Sequence, residues 1–213
     1  IGNLTWTLQG EALRVNVNTQ KYLNRRGGSA RLQGALGDVT QWSAKVALYD
    51  EDFDNLNFTT NEPERSGGRL NAELGLSRQI GSRLNVNLTG LYERKSAKND
   101  ALAYDSLGAR FRAKYAFNEA SYIRGSVEYR DLDYEADSPF LFPFAPRADE
   151  NLRVKMAVGT SVNGLLETLG GNGQDGLEKF GLEIGVNYID RTTNIPTSGY
   201  ENLGGEFRLT YDY

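Results

Sequence analysis

The sequence contains no cysteine and no histidine, one methionine and only five prolines in 213 residues. The missing cysteine excludes disulfides and thiolate metal sites. The missing histidine removes the commonest general base and the commonest metal ligand, so Ser-His-Asp, Cys-His and His-zinc chemistries are all excluded together. There is no surplus of base. Lys and Arg number 24 against 28 Asp and Glu, a net charge of −4, and nothing suggests a nucleic-acid partner. No apolar run reaches the roughly 18–20 residues of a membrane helix. The opening "IGNLTWTLQG" reads as structure and not as a signal peptide. Helical periodicity is nearly absent as well.

What the sequence has in abundance is period two. Leu70, Ala72, Leu74 and Leu76 alternate with Arg69, Asn71 and Glu73, and Leu107, Ala109, Phe111, Ala113 and Tyr115 alternate with Arg110, Arg112 and Lys114. Leu152, Val154, Met156 and Val158 alternate with Arg153 and Lys155, and Phe180, Leu182, Ile184 and Val186 with Glu183 and Asn187. The spacing predicts about ten strands, near 2–18, 28–37, 41–50, 67–79, 82–95, 103–117, 120–133, 150–162, 177–190 and 199–213. In the first, apolar parity changes between Ala12 and Leu13, which predicts a bulge. Many of these strands exceed the usual globular length of roughly 5–6 residues and match the roughly 9–11 that a tilted strand needs to cross a bilayer.

The connections differ at the two ends. "GDVT" (37–40), "QIGS" (79–82) and "FNEA" (117–120) are tight turns, whereas 50–68 and 131–151 are long and polar. The stretch 163–176 is a long connection on the short-turn side. No linker divides the chain, so 1–213 is expected to be a single transmembrane β-barrel domain.

Alternation alone does not say which face is buried. Four features favour lipid on the apolar face. Charge is dense along the middle of the polar faces. Aromatics of apolar parity gather at strand ends, with Trp6, Trp42, Tyr115, Phe117, Phe180, Tyr211 and Tyr213 on the short-turn side and Tyr92, Tyr129 and Tyr188 on the other. An even strand number puts both termini on one side. The chain also stops within a strand, which predicts a seam between the last strand and the first.

The stretch "GGEFRLTYDY" (204–213), alternating to a terminal aromatic, resembles the last strand of bacterial outer-membrane β-barrel proteins. In that superfamily such a strand is read by the barrel-assembly machinery, and Phe is the commonest final residue, so Tyr213 departs mildly from the pattern. The resemblance is architectural and covers the whole chain. It implies an all-β fold, a transmembrane antiparallel up-and-down β-barrel with short periplasmic turns and long outer loops. It also implies the bacterial outer membrane as location, and a lipid bilayer and the assembly machinery as partners.

With the polar faces turned inward, the expected lumen holds Arg31, Lys45, Arg69, Arg83, Arg110, Arg112, Lys114, Arg124, Arg130, Arg153, Lys155, Lys179 and Arg208. Facing them are Glu11, Glu73, Glu93, Glu128, Glu183 and Glu206. Two readings stay open. The bases form an anion-attracting wall for a small solute or an acidic polymer, or they pair with the glutamates and fill the interior. A lumen of ten strands lies nearer the filled end of the range than the open one.

Lesser motifs carry less. "GGNGQD" (170–175) matches one copy of a calcium-binding repeat that needs stacked copies. "DEDFD" (50–54) reads as a solvated acidic loop. "SPFLFPFAP" (138–146) is an apolar tip that fits either an envelope-protein contact or a lid. The expected function is a narrow or gated pore for small or anionic solutes, with a non-conducting anchor or binding scaffold as the alternative. No enzyme, metal or cofactor is expected: the barrel enzymes known as families rely on histidine.

Overall fold

A strand that alternates strictly presents one apolar and one polar face, and neighbours pairing in register extend both faces across a sheet. The computed structural model describes residues 4–54, 62–138, 145–171, 179–195 and 198–211, and has this form throughout. The strands are β1 (Thr5–Val17), β2 (Gln20–Ala35), β3 (Thr40–Phe53), β4 (Gly67–Ile80) and β5 (Leu84–Lys95). They continue as β6 (Tyr104–Ala116), β7 (Ser121–Ser138), β8 (Ala145–Ser161), β9 (Phe180–Thr193) and β10 (Tyr200–Tyr211). They form one antiparallel sheet in chain order, each strand paired with its sequence neighbour, in up-and-down topology. The sheet curls so that residues of β2 and β10 line the same interior space.

The structure settles which face is which. Leu8, Leu74, Leu107, Ile184 and Phe207 are all exposed, Leu107 at 69%, whereas Leu91 on the opposite face is 3% exposed. An apolar exterior of this extent needs lipid to cover it. Trp6, Tyr115, Phe117 and Tyr211 lie exposed near the short-turn end and Tyr129 towards the other. The rings Tyr115–Phe117 and Phe180–Tyr211 pack against each other there, with centroids 5.6 Å and 4.8 Å apart. Among the described residues no helix is long and apolar enough to cross a membrane.

Several expected boundaries move. β2 begins at Gln20 and not near 28, because β1 and β2 are joined by a tight turn in which Asn18 (φ 48°) and Thr19 (φ 69°) both take positive φ. Hairpin turns of that kind favour Asn at the first position and Gly at the second, and the absence of glycine hides this one. The predicted bulge after Ala12 is not there. Register runs unbroken through Ala12↔Arg26 and Leu13↔Arg25 and shifts only between Val15 and Asn16. Leu13 and Val15 therefore face inward, near the long-loop end. β3 continues to Phe53, so "DEDFD" is mostly strand, and β7 and β8 run well into 131–151. The long connection after β8 opens with a short helix, α1 (Val162–Thr168), whose first turn is capped by the Ser161 hydroxyl accepting from Gly164 N.

Among the described residues β1 pairs with β2 alone and β10 with β9 alone, so the expected seam between first and last strands is not among the pairings found. Tyr213, most of "GGNGQD" and the centre of the 138–146 tip lie outside the described residues.

Candidate functional site

The inner face divides into two levels. Towards the long loops the charges are paired. Glu51, 2% exposed, accepts from Lys95 Nζ at 2.8 Å and from Arg69 at 3.2 Å, with Arg25 at 3.8 Å. Arg25 also holds Glu11. Arg69 reaches on to Glu93 at 3.3 Å, and Glu93 is shared with Arg130 at 3.2 Å and with the Tyr104 hydroxyl at 2.6 Å. Arg130 and Arg110 both bind Glu128. The result is a continuous ladder, Glu11–Arg25–Glu51–Arg69–Glu93–Arg130–Glu128–Arg110, running along the wall from β1 to β7. Register builds it, since Arg25↔Glu51, Tyr49↔Arg69 and Arg69↔Lys95 stand opposite each other.

A second node lies on β7, β8 and β9. Asp149 is fully buried and bound by Arg147, Arg191 and the Tyr134 hydroxyl. Buried charge is tolerated only when partnered, and each of these carboxylates is. Phe53, Leu91 and Leu132 fill space between the ion pairs at this level. Gly108 makes room for the ladder, because a Cβ there would stand 2.4 Å from the Tyr129 carbonyl oxygen and 2.9 Å from Arg130 Cγ.

Towards the short turns the interior opens into a cavity of about 710 Å³. Of the residues predicted to line a lumen, Arg31, Arg110, Arg112, Lys114, Arg124, Glu128, Arg153, Lys155, Glu206 and Arg208 line it. Glu11, Lys45, Arg69, Glu73, Arg83, Glu93, Arg130, Lys179 and Glu183 do not. Lys45 sits opposite Glu73 in register, Arg130 belongs to the ladder, and Glu183 is buried under Arg124 and the Tyr122 hydroxyl. Tyr122 lies across Gly159, where a Cβ would come within 2.3 Å of the ring, and Lys114 Nζ stands 4.2 Å above that ring.

The cavity is predominantly basic. Among the described residues Arg31, Arg112, Arg153, Lys155 and Arg208 have no carboxylate in ion-pair contact. Its acids are Glu128, already taken by Arg110 and Arg130, and Glu206. Lys114 and Arg124 stand opposite each other on β6 and β7, a like-charge placement eased by Glu183 on Arg124 and by the Tyr122 ring under Lys114. Across from the bases, β2 to β5 contribute Gln33, Gln41, Ser43, Ser77, Asn85 and Asn87.

Sequence reasoning named many of the bases that line this cavity but missed the anchors of the paired level, Glu51, Lys95, Arg147, Asp149 and Arg191. Glu51, Arg147 and Asp149 fall in segments that read as loop. The signal available was alternation continuing through "YDEDF", with Tyr49, Glu51 and Phe53 on one parity.

No protein-family model matches the chain, and no curated protein does. Solved structures do. One is OmpT, an outer membrane protein of Vibrio cholerae folded in vitro, with a TM-score of 0.62 and 13% identity over 88% of this chain and 56% of that one. Another is a variant of the same protein lacking loop L8, with a TM-score of 0.62 and 13% identity over 88% of this chain and 54% of that one. At that identity the likeness is one of fold, and the fold is that of outer-membrane β-barrel proteins. The chain spans little more than half the length of these solved chains.

Proposed function

We propose that this sheet forms the wall of a narrow, anion-preferring pore in a bacterial outer membrane, with the basic cavity as its selective segment. The observation that carries the reading is the set of bases without carboxylate partners among the described residues, Arg31, Arg112, Arg153, Lys155 and Arg208, around a cavity of about 710 Å³. Bases that serve only structure are neutralised, as in the ladder. Bases left without partners in a recessed, low-dielectric space raise the local concentration of anions. The paired level acts as the constriction, narrowed by salt-bridged side chains and by Phe53, Leu91 and Leu132. The chemistry is passage and not catalysis.

The test is single-channel current from the protein refolded into a planar bilayer under a salt gradient. Unitary steps with a reversal potential on the anion side are expected. Replacing Arg112, Arg153 and Lys155 together with Gln should move that potential towards zero. An unaltered reversal potential removes the basic wall from the conduction path.

A second reading is favoured by the fully buried Asp149 node and the buried Glu51. In it the paired level is a permanent plug, and the barrel is a non-conducting anchor that works through its outer loops. Folded protein that stays electrically silent in the bilayer supports this alternative.

A further inference from the structure

The cavity has two chemically different walls, and electrostatic attraction accounts for only one of them. Resting on the proposed anion-preferring site, we propose that the cavity binds an acidic saccharide, a chain of hydroxyl-bearing rings that carry anionic groups. The wall of β6, β7, β8 and β10 supplies guanidinium and ammonium groups, and Arg is suited to two-point contact with a carboxylate or phosphate. The wall of β2 to β5 supplies mainly neutral amides and hydroxyls, with Arg31 at its β2 edge.

Among the described residues the side chains of Gln33, Gln41, Ser43 and Ser77 in that neutral wall, and of Ser126 beside the bases, have no hydrogen-bond partner. Each carries an acceptor oxygen as well as a donor. A simple anion can accept from the donors of this wall but has no proton to offer its acceptor oxygens. A sugar ring offers hydroxyl donors and acceptors together, so a neutral wall facing a basic one matches a ligand whose rings bond one side while its charges bond the other. Asn85 and Asn87 already spend one amide hydrogen each on Gln79 and on the Leu76 carbonyl, which orients the rest of each amide.

The experiment is calorimetric titration of the detergent-solubilised, folded protein with three probes: tetragalacturonate, maltotetraose as its neutral counterpart, and a hydroxyl-free oligoacrylate of matched charge. A phosphorylated maltotetraose serves as a fourth probe, to separate phosphate from carboxylate as the anionic group. At least one acidic saccharide should bind about tenfold more tightly than oligoacrylate, and maltotetraose should not bind measurably. Replacing Gln33, Ser43 and Ser77 with Ala should abolish the preference over oligoacrylate, weakening the acidic saccharide more than oligoacrylate. Ser77→Ala provides a milder version should the triple variant fold poorly. Equal affinity for the acidic saccharides and oligoacrylate, or a preference that survives loss of the neutral wall, overturns the proposal and leaves a purely electrostatic filter. No binding of any probe overturns it too, and the reversal potential then decides separately whether the anion-preferring pore stands.

Discussion

The two levels of this interior use the same residue types for opposite ends. Near the long loops Glu51, Glu93, Glu128 and Asp149 each hold at least two bases, and side chains fill the space between. Near the short turns Arg112, Arg153, Lys155 and Arg208 line an open cavity without carboxylate partners among the described residues. The difference lies in the supply of inward acids and in register. In the upper level inward acids of one strand fall opposite or diagonal to inward bases of the next. In the lower level Arg112 and Lys155 both face Ser126, and Lys114 faces Arg124. Pairing makes a wall rigid, and leaving bases unpaired gives it a field.

Substitutions can break this contrast, and the largest effect is expected where pairing is deepest. Glu51→Gln leaves Lys95 and Arg69 without their buried counter-ion and should cost about 3–5 kcal/mol of stability. Denaturant-induced unfolding from lipid vesicles measures it, and Glu206→Gln in the lower cavity should cost under about 1 kcal/mol in the same assay. Next is the exterior on which both levels depend. Ile184→Arg puts charge against lipid and should cost about 2–4 kcal/mol near the midplane. Unchanged folding yield in vesicles would contradict the outward assignment. A smaller effect belongs to the one tight pair at the cavity's edge: Tyr122→Phe removes the hydroxyl donated to Glu183, worth about 1 kcal/mol. Smallest in stability, and most useful in sharpening the contrast, is the triple change of Arg112, Arg153 and Lys155 to Gln. Removing mutual repulsion should leave the unfolding midpoint unchanged or slightly raised, while the reversal potential shifts.

Much of the fold was legible because alternation is local. Each residue's parity can be read from the two beside it, and this was enough to predict ten strands, with the aromatic bands adding which face meets lipid. What was not legible depends on strands seen together. Glu51 meets Lys95, 44 positions away and two strands across, only because β3, β4 and β5 stand in the register they do. The sequence around it also misleads. Beyond the membrane both faces of a strand are polar, so "DEDFD" and the segment around Asp149 look like loop although the ladder of backbone hydrogen bonds continues through them. The turn at Asn18 and Thr19 lacks the glycine that usually marks such geometry. The inward Leu13 and Val15 imitate a phase slip because the upper interior accepts apolar side chains, as Phe53 and Leu132 also show.

The absence of cysteine makes one measurement decisive for the contrast itself. Single cysteines at Ser126, beside the lower bases, and at Ser106, buried in the upper level, can be reacted in lipid vesicles with an anionic and a cationic thiosulfonate of equal size. The account predicts that the anionic reagent modifies Ser126→Cys about tenfold faster than the cationic one, and that Ser106→Cys resists both. Equal rates for the two reagents at Ser126→Cys, or rapid modification at Ser106→Cys, would contradict a basic open cavity beneath a closed, charge-paired level.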